Sequence, residues 1–258
     1  MLQVTAEKLI IEGHVVYPAA RRTEKMKDLE AMGGHPIALD VTNEEEIVSA
    51  VKRIIEEQGR IDVLWNNAGY GLYGAVEDVP MDKIRYQFEV NFFGLVRMTK
   101  EVLPHMRARK SGTIINTSSM GGKMYTLLGA FYHEAKHALE GWSDCLRLEL
   151  KQHGINVIIL EPGIIKTEFA DVMANGLLEQ AEGGAYMELT QAIAKASVET
   201  YEKGQGTPAS AIAEVVSRIV NTEKPKTRCV KGHPAKPLMW VRKYLGDRIF
   251  DKAVMSQV

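Results

Sequence analysis

A tyrosine and a lysine four residues apart, Tyr132 and Lys136, follow a serine, Ser119, which precedes the tyrosine by 13 positions. On a helix, residues four apart share one face, so the phenol and the ammonium can point the same way. A free tyrosine has a pKa of about 10. Proton exchange works best when the pKa lies near the working pH, and a nearby ammonium favours phenolate. At ~4 Å and an effective dielectric of ~20 the attraction is about 4 kcal/mol, equivalent to ~3 pKa units. Such a pair could exchange a proton with a carbonyl or alcohol oxygen. The same spacing also occurs on solvated helix faces, so the surrounding motifs must decide.

Ser119 ends the run Ile114-Ile115-Asn116-Thr117-Ser118-Ser119, a short apolar strand entering a polar turn before Gly121-Gly122. A hydroxyl at the C-terminal end of a strand projects into the crevice where α/β sheets bind ligands. Ser118 is the rival, with turn capping as its expected role. Asn91 lies in Val90-Asn91-Phe92-Phe93-Gly94, where a polar amide is costly unless hydrogen-bonded. Asn66-Asn67-Ala68-Gly69 directly follows the apolar run Ile61–Trp65, and such a small turn lets a ligand approach the backbone. A second turn of this kind, Pro162-Gly163-Ile164-Ile165-Lys166-Thr167, follows Asn156–Glu161. Asp40-Val41-Thr42 closes a further strand. Arg21 and Arg22 follow the strand His14–Tyr17, and arginine at a helix start is disfavoured by the macrodipole, which favours an anionic partner.

These residues need a scaffold. Strands are expected at His14–Tyr17, Pro36–Leu39, Val63–Trp65, Thr113–Asn116, Asn156–Leu160 and Arg228–Val230. Helices are expected at Thr23–Met32, Glu44–Gln58, Met81–Arg109, Ala130–Gln152 and Pro208–Asn221. The alternation implies one α/β domain over residues 1–258, with a parallel sheet covered by helices on both faces. Residues 168–205 read as a helical substrate lid, with Met173, Leu177, Leu178, Met187, Leu189 and Ile193 as its apolar content. Residues 236–254 read as one basic amphipathic helix. Its spacing suits core packing or subunit contact better than a membrane surface.

Composition narrows the partners. The 258 residues are 45% hydrophobic and 25% charged, with a formal net charge of −1. No basic field points to nucleic acid. The two cysteines, Cys145 and Cys229, have no metal-ligand spacing, and Cys145 reads as a buried thiol. That reading, with no run of ~18 apolar residues and no signal-peptide pattern, suits a cytoplasmic protein.

From about Gly13 onward these motifs together resemble the short-chain dehydrogenase/reductase family, most of all the branch that includes hydroxysteroid and retinol dehydrogenases. The resemblance implies a Rossmann-like doubly wound sheet and a nicotinamide dinucleotide cofactor. It implies hydride transfer to or from a ketone or secondary alcohol, in that branch a lipophilic one. Tyr132 would exchange the proton, Lys136 would lower its pKa and bind the ribose, and Ser119 would hold the substrate oxygen. Asn91 would help hold a water that completes a proton relay. The resemblance places Asn67, Ala68 and Gly69 beside the adenosine ribose and Asp40, with Val41, near the adenine. It places Pro162, Gly163, the Ile165 backbone and the Thr167 hydroxyl at the nicotinamide carboxamide. The family's acidic, NAD-selecting position is Ala20 here, with Arg21 and Arg22 next; an arginine there suits a 2′-phosphate, so NADP(H) is expected over NAD(H). A homo-oligomer through the helices at Tyr132–Gln152 and Met81–Arg109 is implied by analogy.

The chain departs from the family at its start. The expected opening strand and T-G-x-x-x-G-x-G loop are not found, because only 13 residues precede the His14 strand and a crossover alone takes about a dozen. Ala6–Glu12 reads as the end of a first helix. An N-terminally truncated form is therefore expected. Five or six aliphatic residues of such a strand would contribute roughly 10 kcal/mol, comparable with a domain's whole stability. The alternative to an enzyme is thus an inactive relative acting through protein–protein contact. Glu134 and Pro18 are lesser departures, at positions where the family favours small residues.

Overall fold

The computed structural model describes residues 1–181, 183–202 and 206–256. Its centre is a parallel sheet of β3 (Val63–Asn66), β4 (Gly112–Thr117), β5 (Ile155–Pro162) and β8 (Arg228–Lys231), in the order β3-β4-β5-β8, with β6 (Ile165–Lys166) and β7 (Thr207–Pro208) as a separate parallel pair. Register pairs Asn66 with Asn116 and Thr117 with Leu160, so the strands end together at one edge. β4 and β5 are buried along most of their length, as strands covered on both faces must be. Alternation sends Ile114 and Val157 to one face, against α3 (Glu44–Gln58), α5 (Gly94–Arg109) and α6 (Ala130–Leu150). It sends Ile115 and Ile158 to the other, against α9 (Ser210–Val220) and α1 (Leu2–Ile11).

Helix boundaries follow local chemistry. Asn43 caps α3 by accepting from the Glu45 and Glu46 amides, and Gly59, at φ +70°, ends it. α4 (Met81–Phe88) runs into α5 through a π-turn at Glu89–Phe93, where the Gly94 amide donates to Glu89 O. α6 lays a buried stripe along one face: Tyr132, Lys136, Leu139, Glu140, Ser143 and Leu146.

Several expectations need correction. The strand expected at His14–Tyr17 is assigned only at β1 (Ala19–Ala20), which pairs in parallel with β2 (Ile37–Ala38). Carbonyls of Val16, Pro18 and Ala20 do accept from His35, Ile37 and Leu39. Pro18 has no amide to return, and the ladder is weakened there. The β1-β2 pair forms a separate parallel sheet beside the four-stranded one.

The expected tail helix is two, α10 (Ala235–Tyr244) and α11 (Asp247–Met255), broken at Gly246 with φ +76°. Phe250 and Val254 pack on Met124, while Trp240, Tyr244 and Ile249 are exposed. Cys145 is exposed rather than buried. It stands nine residues after Lys136, about 180° around a helix of 3.6 residues per turn, and so faces away from the buried stripe. The lid region forms α7 (Phe169–Gln180) and α8 (Met187–Glu202); its residues 182 and 203–205 lie outside the described residues. No helix among the described residues is long and apolar enough to cross a membrane.

Candidate active site

A cavity of about 580 Å3 opens at the C-terminal edge of β3, β4 and β5. One wall carries Asn67, Gly69, Ser118, Ser119, Tyr132, Lys136, Pro162, Gly163, Ile165 and Thr167. The lining also includes apolar residues: Met120, Met124, Leu127, Leu238, Phe250 and Val254. α7 and α8 contribute Met173 and Ile193, whereas Leu177 is fully buried and Leu178 is exposed.

Tyr132 and Lys136 do share a face of α6. The Lys136 Nζ lies 5.9 Å from the Tyr132 ring centroid and donates to Thr117 O at 2.9 Å. Lys136 is buried, and desolvation pulls its pKa down to about 8, against the attraction of Glu140. Its positive charge near neutral pH is therefore less secure than the spacing alone implied. The Tyr132 ring packs between Tyr73 and Phe169, each 5.6 Å away by centroid.

The two serines exchange their expected roles as caps. Ser119 Oγ accepts from the Gly121 amide at 3.0 Å, whereas Ser118 Oγ is buried without a hydrogen-bond partner among the described residues. Accepting through a lone pair leaves the Ser119 hydroxyl proton to be donated elsewhere. Asn91 is fully buried and clamps Tyr70, donating to its carbonyl at 2.7 Å and accepting from its amide at 2.9 Å. Both ends of that amide are thereby used. The clamp fixes the turn at Gly69, where a Cβ would lie 3.2 Å from Asn91 Oδ1 and 3.6 Å from Lys136 Nζ.

The second turn is fixed as firmly. Gly163 donates to Lys231 O at 2.8 Å, and a Cβ on it would come within 2.7 Å of Gly232 O. Thr167 Oγ1 contacts Ile165 O at 3.5 Å and accepts from the Phe169 amide at 3.4 Å. Asn67 Oδ1 is buried without a hydrogen-bond partner among the described residues. Ala68 and Val41 line the gap between β1 and β3 instead. Asp40 Oδ1 accepts from the Thr42 amide and hydroxyl at 2.9 and 2.8 Å, closing a local turn. Arg21 and Arg22 are exposed beyond the end of β1, with Arg21 on the Tyr86 hydroxyl at 3.3 Å and Arg22 at 3.8 Å from Glu168. These two arginines and Asp40 do not line the cavity.

Sequence reasoning missed a charged cluster behind the site. Arg228 pairs with Glu140, Asp144 and, at 3.1 Å, Glu161; Lys123 reaches Glu140 at 2.8 Å. Burial, reinforced by Glu140, pushes the Glu161 carboxyl up to about 7 despite Arg228 and Lys123. The available signal was the carboxylate pair Glu140 and Asp144, four residues apart on the helix of Lys136.

Comparison with known proteins identifies the family. A family model described as short chain dehydrogenase matches residues 3–176, and the chain belongs to that family. It is 42% identical over 169 residues to a 3-ketodihydrosphingosine reductase of Bacteroides thetaiotaomicron, a match spanning 66% of this chain and 61% of that protein. It is 35% identical over 237 residues to oxidoreductase BOA17 of Botryotinia fuckeliana, covering 89% and 84% of the two chains. The crystal structure of a short-chain dehydrogenase from Streptomyces avermitilis superposes with a TM-score of 0.78 at 31% identity, over 98% of this chain and 93% of that one. ElxO with NADP bound shares the fold at a TM-score of 0.69 and 24% identity, over 88% and 90%.

Proposed function

We propose that this protein is a nicotinamide-dependent oxidoreductase that interconverts a ketone and a secondary alcohol, with a lipophilic substrate. The observation that carries the reading is the shared cavity wall: Tyr132, Lys136 and Ser119 face an apolar chamber of about 580 Å3. The cavity lining also suits the nicotinamide and ribose end of a dinucleotide. Gly69 lines the cavity without a side chain, and a Cβ there would press on Asn91; Asn67 offers a buried carbonyl oxygen without a hydrogen-bond partner among the described residues, and the Pro162-Gly163 turn lines the same cavity.

When bound, the nicotinamide group supplies or accepts the hydride. The chain's own residues do the rest. Tyr132 gives its phenolic proton to the nascent alkoxide, or takes it from the alcohol in the reverse direction. Lys136, held on the Thr117 carbonyl, lowers the cost of the phenolate while it is charged. Ser119, its lone pair taken by Gly121, donates to the substrate oxygen and orients it. Asn67, Gly69, Pro162, Gly163, the Ile165 backbone and Thr167 hold the cofactor. Asn91 fixes the turn through Gly69 and Tyr70, and its second N–H and second lone pair are left to hold the water of a proton relay.

The finer assignments are inferences of the same kind. Arg21 and Arg22, exposed after β1 with no acidic residue at Ala20, support NADP(H) over NAD(H), and ElxO was solved with NADP. The apolar lining supports a lipophilic ketone, as in the hydroxysteroid and retinol branch, and one relative is named as a reductase of a keto compound. A homo-oligomer through α4–α5 and α6, working in the cytoplasm, completes the reading.

The test is titration with NADPH and NADH, followed by intrinsic fluorescence and thermal unfolding together. Saturable NADPH binding with a rise in Tm, at least ~10-fold tighter than NADH, agrees with the reading; a tenfold ratio corresponds to about 1.4 kcal/mol. Absence of binding to either would leave the chain without its chemistry and favour a non-catalytic, protein-binding role.

A further inference from the structure

α10 and α11 meet at Gly246, with Arg242 paired to Asp247 across the turn. Core packing uses only part of their apolar content. Leu238 and Val241 from α10, with Phe250 and Val254 from α11, pack on Met124, Tyr125 and Leu127. The other large apolar side chains point outward. Trp240 and Tyr244 are 55% and 60% exposed, and Leu245, Ile249 and Met255 are exposed with them. The Trp240 and Tyr244 rings, one helical turn apart, lie 5.6 Å from each other by centroid. Lys243 Nζ sits 5.0 Å from the Tyr244 ring centroid.

The exposed side also carries the segment's cations. Lys236 and Lys243 on α10 and Arg248 and Lys252 on α11 are all exposed. Its acidic residues are engaged: Asp247 with Arg242, and Asp251 as acceptor for the Tyr125 hydroxyl at 2.7 Å. Residues 235–256 hold five basic and two acidic residues in a chain whose net charge is −1, so positive charge is concentrated here. Exposed apolar patches mark interaction sites, and the charge decides which kind. A second copy is a poor occupant, because a two-fold contact sets the patch against itself and like charges face each other. Nucleic acid would meet the cations and leave the aliphatic side chains unused. An anionic bilayer meets both. Trp and Tyr favour the headgroup level, aliphatic side chains reach the acyl boundary, and Lys and Arg ends stay with the lipid phosphates.

We propose that the outward face of α10 and α11 docks the protein on an anionic phospholipid bilayer. Trp240, Tyr244, Leu245 and Ile249 enter the headgroup layer, and Lys236, Lys243, Arg248 and Lys252 meet the lipid phosphates. The attachment is peripheral, reversible and weakened by salt. It bears on the catalytic cavity, because the inward side of the same helices supplies Leu238, Phe250 and Val254 to the lining. A lipophilic substrate held in the bilayer would lie about one helix diameter, ~10–12 Å, from that chamber. This consequence rests on the oxidoreductase reading; the docking itself does not.

The experiment uses the full chain without nucleotide or ketone, which separates it from the oxidoreductase reading. The probes are vesicles of phosphatidylcholine alone and of phosphatidylcholine mixed with phosphatidylglycerol, followed by co-sedimentation. Saturable binding to the anionic vesicles is expected, at least ~10-fold weaker on phosphatidylcholine alone. A blue shift of tryptophan emission that Trp240→Phe removes is expected with it. The pair Lys243→Gln and Arg248→Gln, and separately the pair Trp240→Ser and Tyr244→Ser, should each weaken binding at least ~10-fold. Tm should not change in either, since these side chains are exposed. No binding to either vesicle overturns the proposal. Equal binding to both vesicles overturns it, and so does full binding by both double variants, which would place the contact elsewhere. Displacement of the vesicles by duplex DNA at equal phosphate concentration would assign the face to nucleic acid. Concentration-dependent dimers that exclude vesicles and that Trp240→Ser dissolves would assign it to a second copy. Either result also overturns the proposal.

Discussion

Replacing Arg228 with methionine removes the cation shared by Glu140, Asp144 and Glu161. Glu140 and Glu161 are 4% and 1% exposed at their side chains, so the variant leaves two buried carboxyls with Lys123 paired to Glu140 and the buried Lys136 near it. Breaking a buried ion pair costs about 3–5 kcal/mol. The Arg228 side chain is 30% exposed, which places the expectation at the lower end, about 3 kcal/mol. For a chain of this size each kcal/mol shifts Tm by roughly 2–4 °C, so a fall of roughly 6–12 °C is expected near pH 8.5.

The loss has a definite pH dependence. The Glu161 carboxyl already sits near 7, above its ordinary 4.5. A carboxyl raised in the folded state binds its proton there first, so its contribution to stability falls as pH climbs from the unfolded value through the folded one. Removing Arg228 raises it further and extends that decline above 7. At pH 5.5 the carboxyl can protonate, and the Tm deficit should shrink by at least half. Adding Glu161→Gln to the Arg228→Met variant should recover much of the loss at pH 8.5. Calorimetry of the three proteins at both pH values is the assay. An equal deficit at pH 5.5 and 8.5, with no recovery in the double variant, would refute the reasoning.

Further outcomes follow from other parts of the site. Tyr132→Phe should lower kcat by about 10²–10⁴ while leaving cofactor affinity within a factor of about two; an unchanged kcat would remove Tyr132 from proton transfer. Burial holds His133 neutral, its pKa down at about 4 from 6.5. Its contribution to stability is full above pH 6.5 and lost as pH falls towards 4, worth roughly 3 kcal/mol. Urea midpoints measured across that window should decline, and His133→Gln should flatten the decline. Cys145 is exposed, whereas Cys229 is half-buried with its thiol pushed up by desolvation. A thiol-titrating reagent should therefore modify Cys145 first, as peptide mapping would show, and the reverse order would contradict their placement.

What the sequence made legible was local. The i, i+4 rule puts Tyr132 and Lys136 on one face wherever α6 forms, and apolar runs ending in small polar turns bring Ser119, Gly69 and Gly163 to one sheet edge. What it hid depends on contacts distant in the chain or on single backbone groups. The partner of Lys136 is the Thr117 carbonyl, which no side-chain pattern announces. Arg228 meets Glu140 across 88 residues. Ser118 and Ser119 differ only in which hydroxyl points at the Gly121 amide, and the capping role fell to the second. Pro18 weakened the first expected strand by withholding one amide. Cys145 was legible in principle, since its angle from Lys136 follows from helix geometry.

The most direct test of the central claim is transfer of isotope. Purified protein would be given NADPH carrying deuterium at the transferable position, with a panel of lipophilic ketones, and the products examined by mass spectrometry. The account predicts an alcohol with deuterium on the carbinol carbon, formed by the natural chain and reduced at least ~100-fold in Tyr132→Phe. Saturable NADPH binding with no deuterium in any product, or equal transfer by the Tyr132→Phe variant, would contradict it.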